Sequence, residues 1–484
     1  MQKISLIKVI RKNVLICFIL LVLIFSIFLP TINAISISNA QNSYENLIKK
    51  FESQDGENIC DLIVICPREF VDDLEPLKQH KEKMGIKTKI VSLNKVYTVG
   101  FDGRDNPEKI KIFIRERYND WNISYVLLVG DYKKIPVRYV FNADRWHPYP
   151  ESCFISELYY ADLYDEFGNF QDWDTNKNGV FGEWIGDIAE DPDIDLRPDV
   201  CVGRLACKNK IEVRTMVRKI IRYETTTYGK QWFNRIVAIA GDTYHDKYYD
   251  FPTPELEGEE HSKRILENMS GFETIELFIS NGNFSSPFDV IRAFMKGAGF
   301  ISMTGHGNPK TWSSHPPNSS EWINGLNLLS IMFLFNFNKL PIVVAGSCHN
   351  GQFDVNLRNY ISHPEEAKMY GIGAYECTAW KLTRKIGGGA IATVANTATG
   401  LSKEDKESQE GAGDYIDLQF FLEYNNGSDI LGDCWAGSIN RYLDAFPVDW
   451  NTPAAYDFTY DAKTVQQWTL FGDPSLKIGG YPQS

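Results

Sequence analysis

The residues best equipped for chemistry in this 484-residue chain are a histidine between two glycines and a cysteine in a Ser/Gly frame, each placed directly after an apolar run. His306 lies in "GAGFISMTGHGNPKTW" (297–312), and Cys348 lies in "LPIVVAGSCHNGQFD" (340–354). A thiolate attacks a carbonyl carbon, and a protonated imidazole hands a proton to the leaving group. Gly305 and Gly307 are expected to let the backbone turn sharply beside the imidazole, leaving the Gly307 amide able to approach a substrate carbonyl. Gly346, Ser347 and Gly351 frame the thiol in the same way. The amides of Gly307 and Cys348 would then hold an oxyanion. A single Cys or His is more often a small buried hydrophobe or a satisfied loop residue, but two matched strand-end motifs outweigh that explanation. His349 follows the thiol directly and should point away from it, while His315, in a Ser/Pro/Asn loop, reads as rim. No His/Cys/carboxylate set has zinc-ligand spacing, so catalysis is expected to need no cofactor.

Positioning these two residues falls to alternating strands and helices. From residue 59, "DLIVIC" reads as a strand, followed by a helix with Val71, Leu74, Leu77 and Met84 on one face, then the strand "KTKIVSL". Asn106 reads as a helix cap with Pro107 at the first helical position, before the buried strand "YVLLVG". An irregular acidic and aromatic stretch (137–198) interrupts the pattern, which "DVCVGRL" and a helix bearing Val213, Met216, Val217, Ile220 and Ile221 resume. A second βα series opens with "RIVAIAG" and includes a helix begun by Ser286 and Pro287. This predicts an α/β fold: a mainly parallel sheet flanked by helices, in two subdomains, 59–228 with the acidic insertion and 229–484 carrying the chemistry. In such sheets functional groups gather at the carboxyl ends of strands, where His306 and Cys348 are expected.

The first 40 residues differ from the rest. Lys3, Lys8, Arg11 and Lys12 precede an uncharged apolar run from Val14 to Leu29 and small residues, the pattern of a secretory signal with cleavage expected after Ala34 or Ala40. The run is short for a membrane span, and no later stretch is long enough for one. Residues 41–58 form a short linker or prosegment. Removing the signal takes four positive charges, so the net charge moves from −13 to −13 − 4 = −17. A chain so acidic is unsuited to nucleic acid or to an anionic membrane surface. Its eight cysteines beyond Cys17 are scattered, without small-scaffold or CxxC spacing.

Within the acidic stretch, "DWDTNKNGVFGEWIGD" (172–187) spaces oxygen donors as a calcium loop does. Asp174, Asn176, Asn178 and Gly179 fall at positions one, three, five and six, with the Val180 carbonyl at seven and Asp172, Glu183 or Asp187 to complete the shell. Ile185 stands where an EF-hand has Glu, so a structural calcium would sit in a non-standard loop. A solvated acidic turn has the same spacing.

"TGHGNPKTW" with "PIVVAGSCHNGQFD" resembles the catalytic pair of gingipain-type cysteine peptidases, which share the caspase and legumain fold. "YVLLVGDYKKIP", "PDVCVGRLA" and "TLFGDPSLKI" agree, so the resemblance runs from about Asp61 to Ile478. It implies a caspase-like secreted or cell-surface thiol endopeptidase acting on proteins or peptides, with Cys348 as nucleophile, His306 as acid/base and the Gly307 and Cys348 amides as oxyanion hole. It implies a third, acidic residue for which Asp242 in "AIAGDTYHD" is the best match, with Asp246 close by. Arginine-selective members carry an acid where this chain has Glu257, Glu259 and Glu260, which implies a preference for a basic residue before the scissile bond. A solvated acidic helix start would explain the same glutamates. The sequence stops just after "GDPSL" and residues 41–58 are few, so the immunoglobulin-like module and the long prosegment of secreted members are expected to be missing. The alternative is a non-catalytic, calcium-binding surface or interaction protein on the same fold, which would have no physical need for both Cys348 and His306.

Overall fold

A computed structural model describes residues 59–99, 102–142, 151, 153–243, 256–402, 411–454 and 459–482. The expected signal (1–40), the linker (41–58) and Asp246 lie outside these residues. The apolar runs form strands in chain order: β1 (Leu62–Cys66), β2 (Thr88–Ser92), β3 (Tyr125–Val129), β4 (Arg138–Val140), β5 (Phe154–Ser156), β6 (Cys201–Leu205), β7 (Arg235–Ala240), β8 (Glu273–Phe278) and β9 (Phe300–Thr304). There follow β10 (His306–Asn308), β11 (Thr311–Ser314), β12 (Ile323–Asn327), β13 (Ile342–Gly346), β14 (Ala392–Asn396) and β15 (Trp468–Phe471). Ten of them make one sheet in the order β2-β1-β3-β6-β15-β14-β13-β9-β7-β8. β1, β13 and β14 are buried along most of their length, as strands covered by helices on both faces must be.

The sheet is mostly parallel, as the βα alternation predicts, with one seam. β15 runs parallel to β6 but antiparallel to β14, so the two halves of the sheet point in opposite directions. Hydrophobic periodicity carries no information on strand direction, and the seam was invisible to it. The position near 229 falls between the helix Lys210–Thr226 and β7, while the sheet itself continues across both halves.

The C-terminal motif is what fastens the seam. A Cβ on Gly203 would stand 2.5 Å from the Gly472 carbonyl, so "VGRL" and "FGDP" approach as closely as backbones can. Asp473 and Glu224 hold the buried Lys81 ammonium between them at 2.8 Å each, joining the last strand's exit to the first half. On β6, Arg204 makes a bidentate pair with Glu157 at 2.7 and 2.9 Å.

Helix faces follow the expected spacing: Leu74 and Leu77 are buried on Val71–Lys83, and Val213, Met216, Val217 and Ile220 on Lys210–Thr226. One cap is corrected. Asn106 is already helical, and Asp105, in extended backbone, accepts the Glu108 amide at 2.9 Å. The acidic, aromatic stretch is not loose; it builds a satellite core. Tyr159 meets Trp173 and Phe181 edge to face, the Arg138 guanidinium lies 3.4 Å over the Phe181 ring, and Trp173 Nε1 donates to Asp162 at 2.7 Å.

Candidate active site

Strand register brings the two motifs together. β9 and β13 are parallel neighbours with Thr304 opposite Gly346, and the Gly305 amide donates to the Gly346 carbonyl at 3.1 Å. His306 and Cys348 each lie two residues beyond that rung, at the carboxyl ends of the strands, and both line one cleft. After Gly305 the chain enters β10, which pairs with β11 so that Gly307 faces Trp312.

The glycines are needed for room and not for unusual backbone angles. Gly305, Gly307, Gly346 and Gly351 all keep φ outside the left-handed region. A Cβ on Gly307 would stand 2.5 Å from Asn350 Oδ1 and 2.6 Å from the Cys348 carbonyl, so only glycine lets the histidine hairpin lie against the cysteine loop. Asn350 clamps the two. Its side-chain nitrogen lies 2.6 Å from the Asn308 carbonyl, 2.9 Å from the Thr311 carbonyl and 2.9 Å from Thr378 Oγ1, while its oxygen accepts from Ser347 Oγ at 2.5 Å. Buried and satisfied on both ends, this amide fixes the geometry of the strand-end loops. Sequence reasoning passed over it because an Asn two residues after the nucleophile carries no motif of its own.

His306 Nε2 lies 2.7 Å from the Thr243 carbonyl. A carbonyl only accepts, so Nε2 carries the hydrogen, and in the neutral ring Nδ1 is the basic nitrogen. Asp242, the expected third residue, immediately precedes that carbonyl; its Oδ2 accepts the Asn318 amide at 2.9 Å and its backbone pairs with His315. His315 is no rim residue. It is buried, its ring lies 3.8 Å from that of the half-exposed Trp322 at a tilt of 42°, and both rings meet His306 edge-on at 5.4 and 5.2 Å. His349 does point away: Nδ1 reaches Gln352 at 3.0 Å and Nε2 reaches Thr399 at 3.2 Å. Burial holds its pKa below the usual histidine value, against the pull of Glu151.

The Cys348 sulfur is half-buried, 3.9 Å from the Gly400 carbonyl. All eight described cysteines are free thiols. Burial pushes Cys60, Cys66 and Cys377 up to about 12, and Cys201, Cys207 and Cys434 well above the usual range, so these six behave as packing residues.

Of the three candidate specificity glutamates, Glu257 lines the cleft. Glu259 does not reach it: its side chain is fully buried and both carboxylate oxygens accept from Ser280, one from the amide at 2.9 Å and one from the hydroxyl. Glu260 is exposed. The helix Glu257–Glu267 begins at the cleft; a turn of about 200° carries Glu259 to another face, and Glu260 lies nearly a full turn further along the helix. Asp414, which sequence reasoning did not single out, also lines the cleft.

In the acidic loop the candidate calcium ligands hold other partners. Asp174 accepts the Asn178 and Gly179 amides at 3.0 and 3.1 Å and pairs with Arg104; Asp172 pairs with Arg104 at 3.1 Å and with Lys177. Asn176 accepts the Asn178 amide at 2.9 Å, Asn178 accepts the Val180 amide at 2.7 Å, and the Asn178 side-chain nitrogen donates to Glu183 at 2.6 Å. Among the described residues no group of three or more His, Cys, Asp or Glu side chains is arranged to hold a metal ion, and no helix is long and apolar enough to cross a membrane.

This arrangement has known relatives. A family model described as "Peptidase family C25" matches residues 55–479. Gingipain R2 of Porphyromonas gingivalis is 22% identical over 424 residues, covering 86% of this chain and 46% of that protein. Gingipain R1 of the same species is 21% identical over 434 residues, covering 88% of this chain and 34% of that protein. The chain thus spans about half the length of these curated relatives, or less. A crystal structure described as the Arg specific cysteine proteinase gingipain R superposes with a TM-score of 0.58 at 19% identity, covering 88% of this chain and 79% of that one. That likeness establishes the caspase-like fold.

Proposed function

The chain belongs to peptidase family C25, and from that premise we propose that it is an exported cysteine endopeptidase working through Cys348 and His306. The Cys348 thiolate attacks the scissile carbonyl, forming a carbon–sulfur bond and an oxyanion that the Gly307 and Cys348 amides receive. His306, with Nε2–H held on the Thr243 carbonyl, delivers a proton from Nδ1 to the departing amine as the C–N bond breaks. In the second half, the same nitrogen takes a proton from water, which attacks the thioester and releases the acid and the thiolate. The observation that carries this reading is the β9–β13 register, which sets both residues the same distance past one rung and lines one cleft with them.

The substrate is a protein or peptide with a basic residue before the scissile bond. Glu257 supports this: it is a carboxylate in a partly dry cleft that holds no lysine or arginine among its described lining residues, and one solved relative is described as Arg specific. Export rests on the basic, apolar and small-residue succession of residues 1–40. A peptide-library cleavage profile on the purified mature protein, alongside Cys348→Ala, tests the reading. Cuts concentrated after Arg or Lys and abolished in the variant are expected; cleavage that survives in Cys348→Ala would overturn it.

A further inference from the structure

The helices Glu257–Glu267 and Ala412–Asn425 are joined by a buried pair, His261 Nε2 to Asp417 Oδ1 at 2.8 Å, each side chain 1% exposed. Glu257 precedes His261 by four residues and Asp414 precedes Asp417 by three, so each lies one turn nearer its helix start on the face that carries the pair. The joint thus ties together the two helices that carry Glu257 and Asp414, and both residues line the cleft of Cys348 and His306. Asp417 Oδ2 adds to this field. It is buried, has no hydrogen-bond partner among the described residues, and lies 2.9 Å from where a Cβ would stand on Gly346, itself a cleft residue.

Three carboxylates thus converge on the end of the cleft. Among the described residues the cations that act on Asp414 are His261, inside the joint, and Arg264, almost a full turn beyond His261 along the helix. Burial raises the Asp414 carboxyl to about 6 even though His261 and Arg264 pull it down. A carboxylate in that condition gains from meeting a further cation.

We propose that Asp414 is a second specificity-determining residue, sharing with Glu257 the cationic end of the side chain placed before the scissile bond. The proposal rests on the basic-residue preference argued above and gives it a chemical form: two carboxylates from two helices, suited to the fork of an arginine whose five N–H donors can serve both. It leaves the attacking thiol and the imidazole unaltered.

Steady-state kinetics on Arg, Lys and Leu reporter peptides test it, with wild type, Asp414→Asn and the charge-keeping Asp414→Glu. Asp414→Asn should lower the ratio of kcat/KM for Arg to that for Leu about 10- to 100-fold, the loss expected when one charge-assisted hydrogen bond to the substrate cation goes. Asp414→Glu should recover most of the Arg selectivity, which a merely structural role for the position would not produce. A wild type that selects Arg, with Asp414→Asn selecting it equally well, overturns the part given to Asp414 alone. A wild type that cleaves after Leu as readily as after Arg overturns the basic-residue reading, and this proposal with it.

Discussion

Two acidic regions of this molecule treat their carboxylates in opposite ways. In the loop between Asp172 and Asp191, Arg104 and Lys177 stand against Asp172 and Asp174, and Asp191 accepts the Thr175 amide at 2.6 Å and the Glu183 amide at 3.0 Å. At the mouth of the helices Glu257–Glu267 and Ala412–Asn425, two carboxylates line a cleft instead, beside a half-exposed thiol. The loop is the richer in Asp and Asn spacing, yet its oxygens are occupied from within the fold. What distinguishes the second pair is that it faces a cleft a substrate can enter, and that is settled in three dimensions.

Neutralising the cleft should have the largest effect. Glu257→Gln is expected to lower kcat/KM for an Arg reporter by about 10- to 100-fold with a Leu reporter unchanged, by the loss of a charge-assisted contact in a partly dry site; equal losses on both reporters would make Glu257 a structural acid like those of the loop.

The joint behind the cleft should show itself in stability against pH. Burial opposes charge on His261, but Asp417 and Asp414 outweigh it and raise its pKa to about 9. A raised histidine pKa contributes stability that is complete below the unfolded value near 6.5 and is lost as pH climbs through 9. Thermal stability should therefore decline between those pH values, by roughly 3 kcal/mol at most, and Asp417→Asn should flatten the decline. A flat curve for the wild type would contradict the charged pair.

Arg104→Met should cost about 1–3 kcal/mol of stability, because it leaves the buried Asp174 carboxylate without its cation, while turnover holds. The smallest expected effect is that of a chelator. With Arg104 and Lys177 in place, EDTA should move the melting midpoint by no more than about a degree; a fall of several degrees would return the loop to calcium.

Much of the placement of His306 and Cys348 at strand ends was legible in the sequence because it depends on local rules. An apolar run that stops at Gly-His-Gly or Gly-Ser-Cys is a strand end with room around a reactive side chain, and β9 and β13 are those strands. What escaped was long-range. Thr243, whose carbonyl holds His306, reads as an ordinary loop residue beside the more conspicuous carboxylate of Asp242. Asp414 reaches the cleft only because a helix that begins at Ala412 packs through Asp417 on His261, 156 residues away in the chain. The direction of β15 likewise depends on Lys81, Asp473 and the glycines that let "VGRL" and "FGDP" touch. In the acidic loop the donor spacing was legible, but the cation facing it, Arg104, is separated from it in sequence by the helix Asn106–Trp121 and the three strands β3, β4 and β5.

The central claim is that Cys348 is the nucleophile, with His306 moving its proton. Mass-spectrometric mapping of the protein after brief treatment with iodoacetamide, with residual activity measured in parallel, tests it most directly, since a thiolate reacts far faster than a thiol. The account predicts a single early adduct on Cys348, loss of activity in step with that adduct, and no early adduct in Cys348→Ala. An early adduct on another cysteine that tracks the loss of activity, or full activity with Cys348 alkylated, would contradict it.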